Sequence, residues 1–139
     1  MIQRKQSVWL LLASLFNAAT FEFPIYTGDW LRDALPNYII ELNAQTTIWF
    51  TILTAITGVL ALVTIFLFKN RPLQLRLCYL GIFLSLVLLT LYVIEIGNFD
   101  DGTVALWAVF YAAILISFIL AARGISRDQK LVRSMDRLR

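Results

Sequence analysis

Histidine is absent from this 139-residue chain, and cysteine occurs once, at Cys78. The first absence removes the commonest general base at neutral pH and the commonest protein ligand of haem, copper and zinc. The second excludes a disulfide within the chain and any C-x-x-C metal or redox pair. Cys78 lies in an apolar run and reads as a core residue. No cofactor is expected on these grounds. Charge is scarce as well: 15% of residues are charged and 60% are hydrophobic. A water-soluble domain of this length has too little interior to hide so much apolar surface.

What is present is organised around one stretch. From Leu42 to Phe68 no residue is charged, and roughly 20 apolar residues suffice to cross the ~30 Å hydrocarbon layer of a bilayer. A helix satisfies its backbone polar groups internally, so a membrane span is the direct reading. The spacing of similar runs predicts four spans, at about 6–23, 45–68, 73–96 and 104–122. The first begins with a basic head and has small residues at Ala18 and Ala19, features of a secretory leader too. We expect it to be retained as a span, closed by Pro24, with Trp9 at headgroup depth.

Between the first two spans the composition turns polar and aromatic. Thr27-Gly28 reads as a turn, and Asp29 to Leu35 as one or two helical turns before Pro36. The flanking FEFPIY and NYIIEL read as extended runs that pair in a small hairpin on the outer face. Asn70 and Pro72 then make a tight turn that forces spans two and three to be antiparallel. GNFDDGT, residues 97–103, is an acidic turn. The tail carries Ser126 with Gln129, a capping box that opens a helix over about 126–138. Its Leu131, Val132, Met135 and Leu138 cluster opposite Lys130, Arg133 and Arg137, which makes it amphipathic and basic. The fold class expected is all-α: an antiparallel bundle of four transmembrane helices with a short amphipathic C-terminal helix.

Charge orients this arrangement. Eleven of the twelve Lys and Arg fall in the head, the middle turn and the tail. The other two loops hold Arg32 against Glu22, Asp29, Asp33, Glu41, Asp100 and Asp101. By the positive-inside rule both termini are cytoplasmic, in a multi-pass protein of the inner membrane.

The opening MIQRKQSVWLLLA, the FPIYTG after the first span and the ending RGISRDQKLVRSMDRLR together resemble a bacterial integral-membrane family known as domain of unknown function 4293. The resemblance runs end to end. It implies a small four-span cytoplasmic-membrane protein and brings no activity with it.

Two residues stand out as candidate functional polar groups. Glu95 adjoins a hydrophobic run, and an ionisable group at depth suggests a proton or cation path. Its closeness to Gly97 and the acidic turn makes the outer headgroups the better destination, by about four to one, since the cost of charge falls away from the midplane. Asn17, inside the first span, needs a partner on a neighbouring helix. The Thr series at 46, 47, 51, 54, 57 and 64 reads as a polar groove or, by about three to one, as hydroxyls bonding back to their own helix. Thr54, Gly58 and Ala61, then Gly81 and Ser85, then Ala113, Ser117 and Ala121, form small-residue tracks that admit a close helix neighbour.

In the tail, Arg127, Lys130, Arg133 and Arg137 suit anionic lipid first and a protein partner second. Nucleic acid is not expected, because acids dilute the tail's charge and no aromatic residue there stacks on bases. The partners expected are therefore the bilayer, then other membrane subunits or a second copy. The leading functional expectation is a structural or accessory membrane component, not an enzyme. A small-molecule or ion transporter using Glu95, Asn17 and the Thr face is the alternative. A membrane-embedded lipid enzyme has only Tyr26, Asp29, Arg32 and Asp33 to draw on.

Overall fold

Residues 3–30 and 39–137 are described by the computed structural model of the chain. Helix α1 (Gln3–Ala19) closes five residues before Pro24. Phe21 and Glu22 donate backbone N–H groups to the carbonyls three residues back, at 3.2 and 3.1 Å, so the last turn tightens and ends. The expected closure at Pro24 is thereby moved forward, because proline also disfavours helical backbone at the residue before it.

Strand β1 (Tyr26–Trp30) pairs antiparallel with β2 (Ile39–Leu42), from Tyr26 opposite Leu42 to Asp29 opposite Ile39. The two extended runs therefore do pair. Thr27-Gly28 lies within the strand and makes no turn. The expected helical turns are corrected at Asp29 and Trp30, which are β1, and their remainder falls on 31–38, outside the described residues.

Asn43 and Thr46 turn the chain from β2 into the next helix. The Gln45 N–H donates to Asn43 Oδ1 at 2.8 Å, and the Asn43 N–H to Thr46 Oγ1 at 2.8 Å. Helix α2 (Ile48–Phe66) follows, and after four residues α3 (Arg71–Ile96) returns with Pro72 in its first turn, where no N–H is needed. Gln74 Nε2 donates to the Thr64 carbonyl at 3.1 Å and ties the two helices across that turn.

Residues 99–104 form strand β3 (Phe99–Val104), where the sequence suggested only an acidic turn. It pairs antiparallel with β1 on the side away from β2, giving the order β2-β1-β3. Gly28 faces Gly102 in that pairing, and a Cβ at Gly102 would lie 2.5 Å from the Tyr26 ring. The two glycines let the backbones close while Tyr26 packs edge-on to Phe99 at 5.2 Å. The expectation of an all-α fold is corrected by this sheet.

Helix α4 (Ala108–Arg137) is continuous for 30 residues. The separate short helix expected over about 126–138 is corrected. Gly124 and Ser126 sit inside α4, whose preceding turn already accepts the N–H groups that a cap would satisfy. At 1.5 Å per residue α4 is about 45 Å long, some 15 Å more than a hydrocarbon layer.

Each helix packs on two others: α1 on α2 and α4, and α3 on α2 and α4. Two cores result. One joins Leu10, Ala61, Cys78, Phe118, Ala121 and Ile125. The other seats the sheet on the helices, with Ile25, Leu42 and Phe99 meeting Phe50, Tyr92 and Tyr111. Elsewhere the helices present large apolar side chains outward, Val59 at 58% exposure and Phe83 at 62% among them. Three helices, Ile48–Phe66, Arg71–Ile96 and Ala108–Met135, are long and apolar enough to cross a membrane. α1, at 17 residues, is not among them.

Candidate functional site

Asn17 sits one turn before the end of α1, 2% exposed, and faces Gly58 of α2. A Cβ on Gly58 would lie 2.6 Å from Asn17 Oδ1, so the glycine makes the room that the amide uses. One turn earlier on α2 is buried Thr54, and a turn earlier again Phe50, which stacks on Tyr92 of α3 at 4.4 Å and 5°. Tyr92 in turn meets Tyr111 of α4 edge-on at 4.9 Å. The Tyr111 hydroxyl lies 3.4 Å from the carbonyls of Thr20 and Phe23, and Thr20 Oγ1 donates to the Asn17 carbonyl at 2.7 Å. All four helices thus contribute to one polar cluster beneath the sheet.

Three atoms of the cluster, Asn17 Nδ2, Thr54 Oγ1 and Tyr92 Oη, are buried with no hydrogen-bond partner among the described residues. Such a group costs about 1–3 kcal/mol. The cavity beside the cluster, lined by Ser85, Leu88 and Tyr111, measures about 10 Å³. That is room for roughly one water molecule.

The other threonines divide: Thr57 and Thr64 bond back to their own helix, whereas Thr46 donates to the Glu41 carbonyl at 3.1 Å and Thr51 to the Ala44 carbonyl at 2.9 Å, both ahead of α2. Thr57 donates to the Leu53 carbonyl at 2.7 Å, Thr64 to Leu60 at 2.6 Å, and Thr51 also to Thr47 at 3.3 Å. Only Thr54 of the buried α2 threonines lacks such a bond among the described residues.

The small-residue tracks face helix neighbours. Gly58 receives Asn17, Ala61 lies in the core with Leu10, and Gly81 lies under the Phe118 ring. Ser85 donates to the Gly81 carbonyl at 2.8 Å. On α4 Ser117 and Ala121 are buried and Ala113 half-buried, because the interior face of that helix runs through Ile114, Phe118 and Ile125. Glu95 stands apart from the polar cluster. It is half-buried one residue before the end of α3, beside the sheet, where its carbonyl accepts the Asn98 N–H at 2.9 Å.

In the tail Arg127, Lys130 and Arg133 are exposed, and so are Leu131, Val132 and Met135. The side chains of Arg137 and Leu138 lie outside the described residues. Sequence reading missed Tyr92 and Tyr111 as partners. Their signal was a hydroxyl-bearing ring inside an apolar run. It missed the buried pair in which Gln6 Nε2 donates to Asp128 Oδ2, for which an acid inside a basic tail was the sign.

Three helices long and apolar enough to cross a membrane, with large apolar side chains turned outward and a small sheet at one end, point to a helical membrane protein. By sequence the chain belongs to the family described as Domain of unknown function (DUF4293), which it matches over residues 2–138. No curated protein and no solved structure matches it.

Proposed function

We propose that the protein is a four-span inner-membrane protein, an antiparallel bundle with both termini cytoplasmic, acting as a non-enzymatic structural or accessory component of a membrane assembly. The observation that carries the fourth span is the alignment of α1 with α4. Gln6 meets Asp128 at one end, and at the other the Phe23 ring lies 4.4 Å from Trp107. α1 therefore runs beside the same apolar layer that α4 traverses. The sheet stands at one end, and Lys5, Lys69, Arg71, Arg123 and Arg127 at the other, a separation that fits a cytoplasmic cationic end.

The accessory reading draws on the continuity of the helices and on the exposed face of the tail. A transporter site at the midplane uses broken helices and facing polar groups. Here α2, α3 and α4 are unbroken. Meanwhile the exposed apolar stripe of Leu131, Val132 and Met135 offers lipid or a partner subunit a surface. Extraction in mild detergent followed by size measurement tests this. A complex with a co-purifying chain or a second copy is expected, and a solitary monomer counts against it.

Transport of a small molecule or ion is the second reading, favoured by the unpartnered Asn17 Nδ2, Thr54 Oγ1 and Tyr92 Oη. It requires a flux in reconstituted vesicles that Asn17→Leu or Glu95→Gln abolishes. A parent protein without flux ends it.

A further inference from the structure

Away from the sheet, α1 and the stretch of α4 from Leu120 to Asp128 enclose a cleft of about 330 Å³. Its walls carry three cations, Lys5, Arg123 and Arg127, all exposed. Arg123 and Arg127 are one turn apart on the same helix face, a like-charge pairing that disfavours an isolated helix. The one acid in the cleft, Asp128, is 6% exposed and accepts a hydrogen bond from Gln6, itself 7% exposed. Gly124 lets Gln6 lie flat: a Cβ there would stand 2.8 Å from Gln6 Cγ. The base of the cleft is therefore built and its carboxylate engaged, while net positive charge remains at the opening.

The apolar side is supplied by Trp9 and Leu120. Counted from Ala108, Arg123 lies about 22 Å along α4 and Arg127 about 28 Å. On a ~30 Å hydrocarbon layer that begins near Trp107, both backbones lie just inside the far edge, Arg127 by about 2 Å and Arg123 by about 8 Å, so the guanidiniums reach the lipid phosphates by extending their stems outward while Leu120 stands among acyl chains. Guanidinium groups match a phosphate with paired N–H donors.

We infer that this cleft is a binding site for the phosphate of an anionic lipid headgroup, held by Arg123, Arg127 and Lys5, with the lipid's chain along Leu120 and Trp9. The inference rests on the membrane reading and goes beyond the tail's general attraction to an anionic surface, because the site is confined to residues that α1 and α4 bring together. Lys130 and Arg133, farther along α4, take no part in it.

The test uses the full chain with Trp9 as its only tryptophan, through Trp30→Phe, Trp49→Phe and Trp107→Phe. It is reconstituted in phosphatidylcholine vesicles holding a minor fraction of brominated phosphatidylglycerol or brominated phosphatidylcholine. The phosphatidylglycerol probe is expected to quench Trp9 more strongly at equal mole fraction. R123Q/R127Q should demand roughly tenfold more of it for the same quenching, whereas K130Q/R133Q, which removes only general attraction to the surface, should shift the curve far less. Circular dichroism of each variant confirms a folded chain, and native mass spectrometry of the unsubstituted chain checks phosphatidylglycerol retention independently. Equal quenching by the two lipids, or equal loss in the two double variants, overturns the site. Competition by millimolar inorganic phosphate overturns the lipid as its source. A chain that fails to float with the vesicles overturns the membrane reading itself, before any quenching is read.

Discussion

Asn17 of α1 occupies the notch that Gly58 leaves in α2, with the amide oxygen 2.6 Å from where a Gly58 side chain would begin. The pair is a steric lock as well as a polar one. It fixes the height of α1 against α2, because an amide shifted by one turn would meet Thr54 or Ala61, both of which carry a side chain.

Gly58→Ala is expected to destabilise the chain by about 1–3 kcal/mol, the usual cost of forcing an extra carbon into a packed contact. Asn17→Ala should recover part of that loss, since the two residues touch and their effects are not additive. Thermal unfolding in detergent of both single variants and the double variant measures the coupling. Additive losses would show that the notch is not occupied as described.

Tyr92→Phe is expected to be neutral or stabilising. The Tyr92 hydroxyl is buried beside those of Tyr111 and Thr54 without a well-formed bond to either, so removing it forfeits little while the stack on Phe50 remains. Phe50→Ala should instead cost about 3–5 kcal/mol, as loss of a buried aromatic ring does. A large loss in Tyr92→Phe would mean that the hydroxyl is bonded.

Gln6→Leu should destabilise more than Asp128→Leu. The first leaves a buried carboxylate without its donor, and the second leaves only a neutral amide. Hydrogen bonds to charged groups contribute about 1.5–3 kcal/mol, roughly twice the neutral value. Unfolding midpoints of the two variants decide the order.

Cys78 is fully buried, so a small maleimide should not label it until the protein is denatured. In a Cys78→Ala background, cysteines placed at Thr103 and Arg133, both exposed, should react with an impermeant maleimide from opposite faces of sealed vesicles. Labelling of both from one face would contradict the four-span arrangement.

The helices were legible because their signal is long and unbroken: nothing between Leu42 and Phe68 interrupts a span. The sheet was half legible. NYIIEL shows its strand character in β-branched residues, whereas FDDGTV has little intrinsic preference and becomes a strand only because β1 offers it an edge. Thr27-Gly28 was misread for the same reason. Glycine marks a turn as readily as a place where two backbones close, and only the partner Gly102 distinguishes them. The continuity of α4 was hidden by Gly124 and Ser126, which signal an end when no neighbour is known.

The candidate site was legible in fragments. Asn17, Thr54 and Gly58 announced themselves as polar or small groups inside apolar runs, yet no spacing along the chain says that Asn17 meets Gly58. Tyr92 and Tyr111 lie 19 positions apart and were brought together by the fold of α3 onto α4. Lys5 and Arg127 are farther apart still, and charge alone assigned them to one side of the membrane but not to one cleft.

β3 comes from the link between α3 and α4, while its partner β1 comes from the link between α1 and α2. The two helical hairpins are thus joined at the sheet by backbone hydrogen bonds, and at the far end by the α2–α3 turn, the Gln74–Thr64 bond and the Gln6–Asp128 bond. Clasped at both extremities, neither hairpin has a free end from which to peel away from the other.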